Sequence, residues 1–227
     1  MTAPTDREER GIVYTFYPFK GGVGRTMALA NVAALMAKWG YSVLAVDWDR
    51  EAPGLEQFFK KLSPDIDKLR KEKPGIVDLM HAGTNGAHLK WQDCLIDVRI
   101  NGAKGRLSIL SAGRNDDQYS AGLQSLNFPV LFDQHELGSY IEKLRNEWIS
   151  EFNFVLIDSR TGVTDIGGIC TVHLADVLVL LFTANDSSSD GALQVFERAR
   201  KAQESLTLER GRLMAVPVPA RDESHGI

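Results

Sequence analysis

Nowhere in this 227-residue chain does an apolar run approach the roughly 18 residues that a membrane-spanning helix needs. The first residues, Met1 to Arg10, are polar and charged and lack the apolar stretch of a signal peptide. Cysteine is scarce: Cys94 and Cys170 are the two in the chain, and such sparse usage suits reduced, buried thiols in a cytoplasmic protein rather than a disulfide scaffold. The five histidines (His81, His88, His135, His173, His225) are scattered, and no His/Cys group has metal-ligand spacing. Neither charge sign dominates. Lys plus Arg total 26 against 30 for Asp plus Glu, a net charge of -4, so no global electrostatic argument favours nucleic acid or an anionic membrane. Internal repeats and low-complexity linkers are absent as well.

What is present reads as one α/β domain. Hydrophobic residues make up 44% and charged residues 25%, close to ordinary soluble globular proteins. Strand-like and helix-like segments alternate. Ile12 to Tyr17 is β-rich, Thr26 to Trp39 has helical spacing with Gly40 as its C-cap, and Ser42 to Val46 is a short buried strand. Gly54 to Leu62 and Gly75 to His81 read as short helices. Cys94 to Ile100 and Arg106 to Ser111 read as a hairpin or a sheet edge. Asp116 to Pro129 is polar and irregular, a candidate mobile loop, and Gln134 to Ser150 is an amphipathic helix. Phe154 to Ile157, Val177 to Phe182 and Leu213 to Val218 are further strands, and a helix from Ser189 to Leu206 is expected to be capped by the cluster Ser187 to Asp190. Continuous apolar strands separated by helices imply a mostly parallel β-sheet with helices on both faces.

The strongest signal is the segment Phe19-Lys20-Gly21-Gly22-Val23-Gly24-Arg25-Thr26, which follows a strand and opens a helix, the context a phosphate loop requires. Its glycines let the backbone curl into a nest of N–H groups, and the helix N-terminus adds positive potential. Thr26 offers a hydroxyl at the Mg²⁺-ligand place of a Walker A motif. The strict motif fails twice: Phe19 stands where its first glycine would be and Arg25 where its lysine would be. The dinucleotide fingerprint fails too, because Met27 stands where its third glycine would be. A turn that merely connects strand to helix is the bland alternative, and two cations and a threonine in register argue against it.

Lys20-Gly21-Gly22-Val23-Gly24-x-Thr26 resembles the deviant Walker A motif of the ParA/MinD family of P-loop ATPases, whose mark is the extra lysine before Gly-Gly, here Lys20. Within that family it is most similar to the Lys-Gly-Gly-Val-Gly-Arg variant group. The resemblance runs from about Ile12 to Val218 and implies a P-loop NTPase fold, ATP and Mg²⁺ as cofactors, and ATP hydrolysis. It implies contacts to nucleotide from Lys20, Gly21, Gly22, Val23, Gly24, Arg25, Thr26 and Met27. Val43-Leu44-Ala45-Val46-Asp47-Trp48-Asp49 resembles the family's strand ending in Asp-x-Asp. Asp49 would there polarise the attacking water, with Asp47 nearer the Mg²⁺ shell. Phe154-Val155-Leu156-Ile157-Asp158 resembles the Walker B strand, with Asp158 holding Mg²⁺ through water and Gly162 in the switch that follows. Catalysis would thus involve Lys20, Arg25 and Asp49, and the metal Thr26, Asp47 and Asp158. A strand-terminal aspartate commonly just caps a helix, and only the three segments in the family's order outweigh that reading. For the base, Asn185 and Pro217 are candidates, although Asn185 suits a helix start equally well, and the Asn-Lys or Asn-Arg pair often found after the last strand is missing. ATP over GTP follows from the resemblance alone.

Two functions compete. One is an ATP-dependent dimerisation switch with slow hydrolysis to ADP and phosphate, in which Lys20 reaches a partner's phosphates across a homodimer. The other is a nucleotide sensor that scarcely hydrolyses and gates a downstream effector domain in bacterial signalling or defence, to which Arg25, no neutral swap for lysine, lends weight. A kinase or metabolic enzyme of the superfamily ranks third, since neither an acceptor site nor a terminal tyrosine cluster is evident. DNA is a weakly supported partner: Arg198, Arg200, Lys201, Arg210 and Arg212 are interrupted by Glu197, Glu204 and Glu209. Residues 1–227 are read as a single nucleotide-binding ATPase domain. With no helix after the last strand to cover it, the expectation is the N-terminal part of a longer protein.

Overall fold

The computed structural model describes residues 10–49, 53–114, 137–160, 168–206 and 210–220. Seven strands form one sheet: β1 (Ile12–Pro18), β2 (Ser42–Asp47), β3 (Leu95–Val98), β4 (Arg106–Leu110), β5 (Phe154–Asp158), β6 (Val177–Thr183) and β7 (Met214–Ala220). Their order is β3-β4-β2-β5-β1-β6-β7. Every neighbouring pair is parallel except β3 with β4, the antiparallel edge expected from the hairpin-like segment. The helices are α1 (Arg25–Trp39), α2 (Ile66–Glu72), α3 (Ile76–Asn85), α4 (Leu137–Glu151) and α5 (Asp186–Glu204).

The apolar strands are buried on both sides, and alternation sorts their side chains. On β2, Val43 and Ala45 join the core under α1, while Leu44 and Val46 face the opposite core with α3 and α4. On β5, Leu156 goes to the α1 side and Val155 and Ile157 to the other. Small residues on α1, namely Ala30, Ala33 and Ala37 beside Leu29, let that helix lie close to the sheet. α5 packs over β6 on the α3/α4 side through Ala192 and Ala199, against Tyr17, Leu178 and Leu180.

Several local expectations changed. Residues Leu55–Phe59 form a 3₁₀ turn rather than a helix to Leu62, and α2 and a π-helical turn at Ile169–Leu174 had no clear periodicity to announce them. α5 begins three residues before Ser189 and is capped by Asn185, whose side-chain oxygen accepts the Ser188 N–H at 2.9 Å. Cys94 and Cys170 are both buried and free. The candidate mobile loop Asp116–Pro129 lies outside the described residues. Because the central strands run parallel, the C-terminal ends of β1, β2 and β5 open side by side, and the loops that follow them meet at one edge of the sheet.

Candidate functional site

β1 ends at Pro18 and the chain turns directly into the glycine loop. Gly22 and Gly24 both sit in the left-handed region, at φ 74° and 77°, where side chains with a Cβ are strained. Gly24 serves as the N-cap of α1 without any side-chain cap, so the first N–H groups of that helix are left to a ligand or solvent. Phe19, in the place of the usual first glycine, points away from the loop. It packs into the core between β6 and α5 against Gly191, and its N–H donates to the Leu181 carbonyl at 2.9 Å. The loop faces a cavity of about 620 Å³ lined by Pro18, Gly21, Gly22, Val23, Gly24, Arg25, Thr26, Met27, Asp49, Gly54, Phe58 and Arg160.

Arg25 is the centre of the polar arrangement. Its Nη2 lies 3.0 Å from Asp49 Oδ2, 3.2 Å from Asp158 Oδ2 and 3.3 Å from Thr26 Oγ1. Its Nη1 donates to the Ser159 carbonyl, and its Nε forms an ion pair with Asp158 Oδ1. Burial opposes the charge of this guanidinium, but Asp158 and Asp49 more than offset that and hold its pKa above the ordinary value. Burial pushes the Asp158 carboxyl above its usual range, against the pull of Arg25.

Asp47, the register partner of Asp158 on the neighbouring strand, has a different occupation. It is fully buried and its oxygens accept backbone N–H groups, from Asp49 at 3.1 Å on Oδ1 and from Gly54 at 2.9 Å and Leu55 at 3.1 Å on Oδ2. Burial, and then the Asp158 charge, push its carboxyl up to about 7, against those N–H bonds. Asp47 therefore ties the segment after β2 back onto the strand and does not line the cavity.

The structure thus brings Gly21, Gly22, Val23, Gly24, Arg25, Thr26, Met27 and Asp49 to one cavity, with Asp158 behind Arg25. Lys20 is exposed next to the loop and outside the cavity lining. Asn185 spends its carboxamide locally, accepting from Ser188 and donating to Thr183 Oγ1 at 2.8 Å. Pro217 lies exposed on the edge strand β7. Gly162 lies outside the described residues. The sequence reading missed Gly54, Phe58 and Arg160 as cavity residues. Arg160 had a signal, being a cation two places beyond a strand-terminal aspartate; Phe58, about half exposed, had none. In the late basic stretch, Arg200 pairs with Glu197 and Glu204, and Arg210 pairs with Glu142 and donates to the His173 carbonyl.

Thr26 Oγ1, Asp49 Oδ2 and Asp158 Oδ2 all lie within 3.3 Å of one cationic nitrogen. Such hard oxygen donors fit Mg²⁺, which typically binds one or two carboxylates and completes its shell with water and substrate phosphates. Among the described residues, no helix is long and apolar enough to cross a membrane.

Known proteins are similar to this chain in sequence and in fold. The septum site-determining protein MinD of Helicobacter pylori is 26% identical over 200 residues, covering 85% of this chain and 63% of that protein, so the chain spans less than two thirds of its curated relative. A plasmid partition protein from Borrelia burgdorferi superposes with a TM-score of 0.67 at 16% identity, covering 96% of this chain and 83% of that one. MinD of Pyrococcus horikoshii, solved with Mg-ADP, does so with a TM-score of 0.58 at 20% identity, covering 85% and 66%. Likeness at these identities speaks for the fold alone. The model of the CobQ/CobB/MinD/ParA nucleotide binding domain matches residues 14–218, nearly the whole described sheet with its glycine loop. The chain belongs to that nucleotide-binding family.

Proposed function

We propose that this chain binds Mg-ATP through the loop Lys20–Thr26 and acts as an ATP-dependent dimerisation switch that slowly hydrolyses ATP to ADP and phosphate. The observation that carries the reading is the glycine loop at the N-terminus of α1, opening on a cavity of about 620 Å³ beside three oxygen donors gathered around one cation. The Mg-ADP bound by the Pyrococcus horikoshii relative supports the same ligand class here.

In this reading the N–H groups of Gly21 to Gly24 and of the first turn of α1 hold the phosphates. Thr26 and Asp158 would hold Mg²⁺, which when bound neutralises phosphate charge. Asp49, which reaches the cavity, positions and polarises the attacking water; phosphoryl transfer asks for positioning and charge stabilisation more than for a strong base. Asp47 acts one step removed, by anchoring the segment that carries Asp49 and Gly54. Met27 and Phe58 form an apolar lip, and exposed Lys20 is free in position to reach a second subunit's phosphates. Asn185 and Pro217, neither of which lines the cavity, remain the candidates for contact with the base. The setting is cytoplasmic.

A second reading, a nucleotide sensor with little turnover that gates an attached effector domain, draws on Arg25. A side chain paired with the acids that hydrolysis would use suits binding better than rapid chemistry. Phosphate release measured beside ATP affinity separates the two readings: tight binding with turnover favours the switch, and tight binding without turnover favours the sensor. No binding of Mg-ATP or Mg-ADP in calorimetry would remove both.

A further inference from the structure

Asp158 is fully buried and does not line the cavity, whereas Arg25, Thr26 and Asp49 do. Arg25 therefore stands between the cavity and the Walker B carboxylate. Its hold is not a single contact. Three nitrogens of the guanidinium engage Asp49, Asp158 on both carboxylate oxygens, Thr26 and the Ser159 carbonyl. The side chain is only 10% exposed. A planar guanidinium can bridge several oxygens at once, which an ammonium at the usual Walker A position cannot do in the same way.

We infer that Arg25 is a built-in counter-cation for the metal-binding oxygens, so that a divalent cation takes Thr26 and Asp158 only when Arg25 is drawn away, which a polyphosphate at the glycine loop would do. This deepens the role of the Mg-ATP site and rests on that reading. It makes Arg25 a positioning residue that orders events: the protein by itself declines a divalent cation, and metal is accepted together with nucleotide. The physical reason is charge. A guanidinium within hydrogen-bond distance of the same oxygens repels an incoming dication, and the acids it neutralises attract one less strongly.

The test needs no turnover. Mn²⁺ is titrated into protein without nucleotide, and unbound Mn²⁺ is read by electron paramagnetic resonance for wild type, Arg25→Lys, Arg25→Gln and the double variant Arg25→Gln/Asp158→Asn. The expected result is weak uptake by wild type, uptake of one Mn²⁺ per chain at least about tenfold tighter in Arg25→Gln, and an intermediate value in Arg25→Lys. Loss of the gain in the double variant places the metal at Asp158. Wild type binding Mn²⁺ as tightly as Arg25→Gln, or a gain that survives Asp158→Asn, overturns the inference. Should Arg25→Gln fail to fold, Arg25→Lys decides: affinity above wild type supports the inference and equal affinity overturns it. A fluorescent ATP analogue with Mg²⁺, titrated into wild type, reads the underlying function separately. Analogue binding without any Mn²⁺ difference among the variants sinks the Arg25 role alone, and no analogue binding sinks the reading beneath it.

Discussion

Replacing Gly191 by alanine sets two effects against each other. Gly191 lies in the second turn of α5, where alanine is the better helix former by about 0.8–1 kcal/mol. Propensity alone predicts a more stable variant. The packing predicts the opposite: a Cβ on Gly191 would lie 1.9 Å from Phe19 Cζ and 2.1 Å from its Cε2. The ring is rigid, and its backbone is held to β6 through the Leu181 carbonyl. Overpacking costs about 1–3 kcal/mol, and so close an approach belongs at the upper end. Less the propensity gain, the net loss is about 2 kcal/mol, or a melting temperature lower by about 4–8 °C for a chain of this size. With Phe19→Ala the obstacle is gone, and the same Gly191→Ala change should become neutral or stabilising by up to about 1 kcal/mol. The coupling energy in the cycle is then about 2–3 kcal/mol. Thermal and urea unfolding of wild type, the two single variants and the double variant measure it. Because Phe19 directly precedes Lys20, Gly191→Ala should also weaken binding of an ATP analogue. A Gly191→Ala protein at least as stable as wild type, or the same effect in both backgrounds, would refute the reasoning.

Thr26→Ala should lower Mg²⁺-dependent ATP affinity or abolish turnover, and calorimetry and phosphate release both at wild-type values would remove Thr26 from the site. Asp49→Ala should still bind ATP while hydrolysis falls by roughly 10²-fold, the scale of a lost catalytic group; single-turnover phosphate release checks this, and an unchanged rate assigns the water elsewhere. Lys20→Ala should spare nucleotide binding by the monomer but reduce ATP-dependent dimerisation, as sedimentation with a nonhydrolysable analogue would show; dimerisation at the wild-type level contradicts the trans role of Lys20. Asp47→Asn turns a side-chain NH₂ toward backbone donors, so it should destabilise the fold by about 1–3 kcal/mol and speed hydrogen exchange at Gly54 and Leu55. Unchanged exchange at those amides would show that Asp47 does not anchor the loop.

Local chemistry made the frame readable in the chain itself. Phe154 to Ile157 and Val177 to Phe182 are unbroken apolar runs, and such runs belong in a sheet covered on both faces. The spacing of Gly21, Gly22 and Gly24 between a strand and a helix can be recognised without coordinates, because nest formation depends on φ freedom within a few residues. Thr26 and Met27 come with the loop for the same reason. α2 and the π-helical turn at Ile169–Leu174 were not readable, since short segments carry too few turns to show a period.

The roles of the charged residues depended on the tertiary structure. In sequence, Arg25 is a loop cation and reads as a phosphate partner. In space, the parallel arrangement of β1 beside β5, and β5 beside β2, brings Asp158 and Asp49 to it from 133 and 24 positions away, and pairing in a buried setting then decides where its side chain rests. Asp47 and Asp49 belong to one short motif, yet Asp47 is the last residue of β2, buried against backbone amides, while Asp49 lies past the strand's end at the cavity. Phe19 breaks the usual motif on paper, and the notch at Gly191 receives its ring. Sequence spacing determines which groups a loop carries; the neighbours that satisfy a buried charge or accept an aromatic ring come from distant strands and helices, and only folding sets them in place.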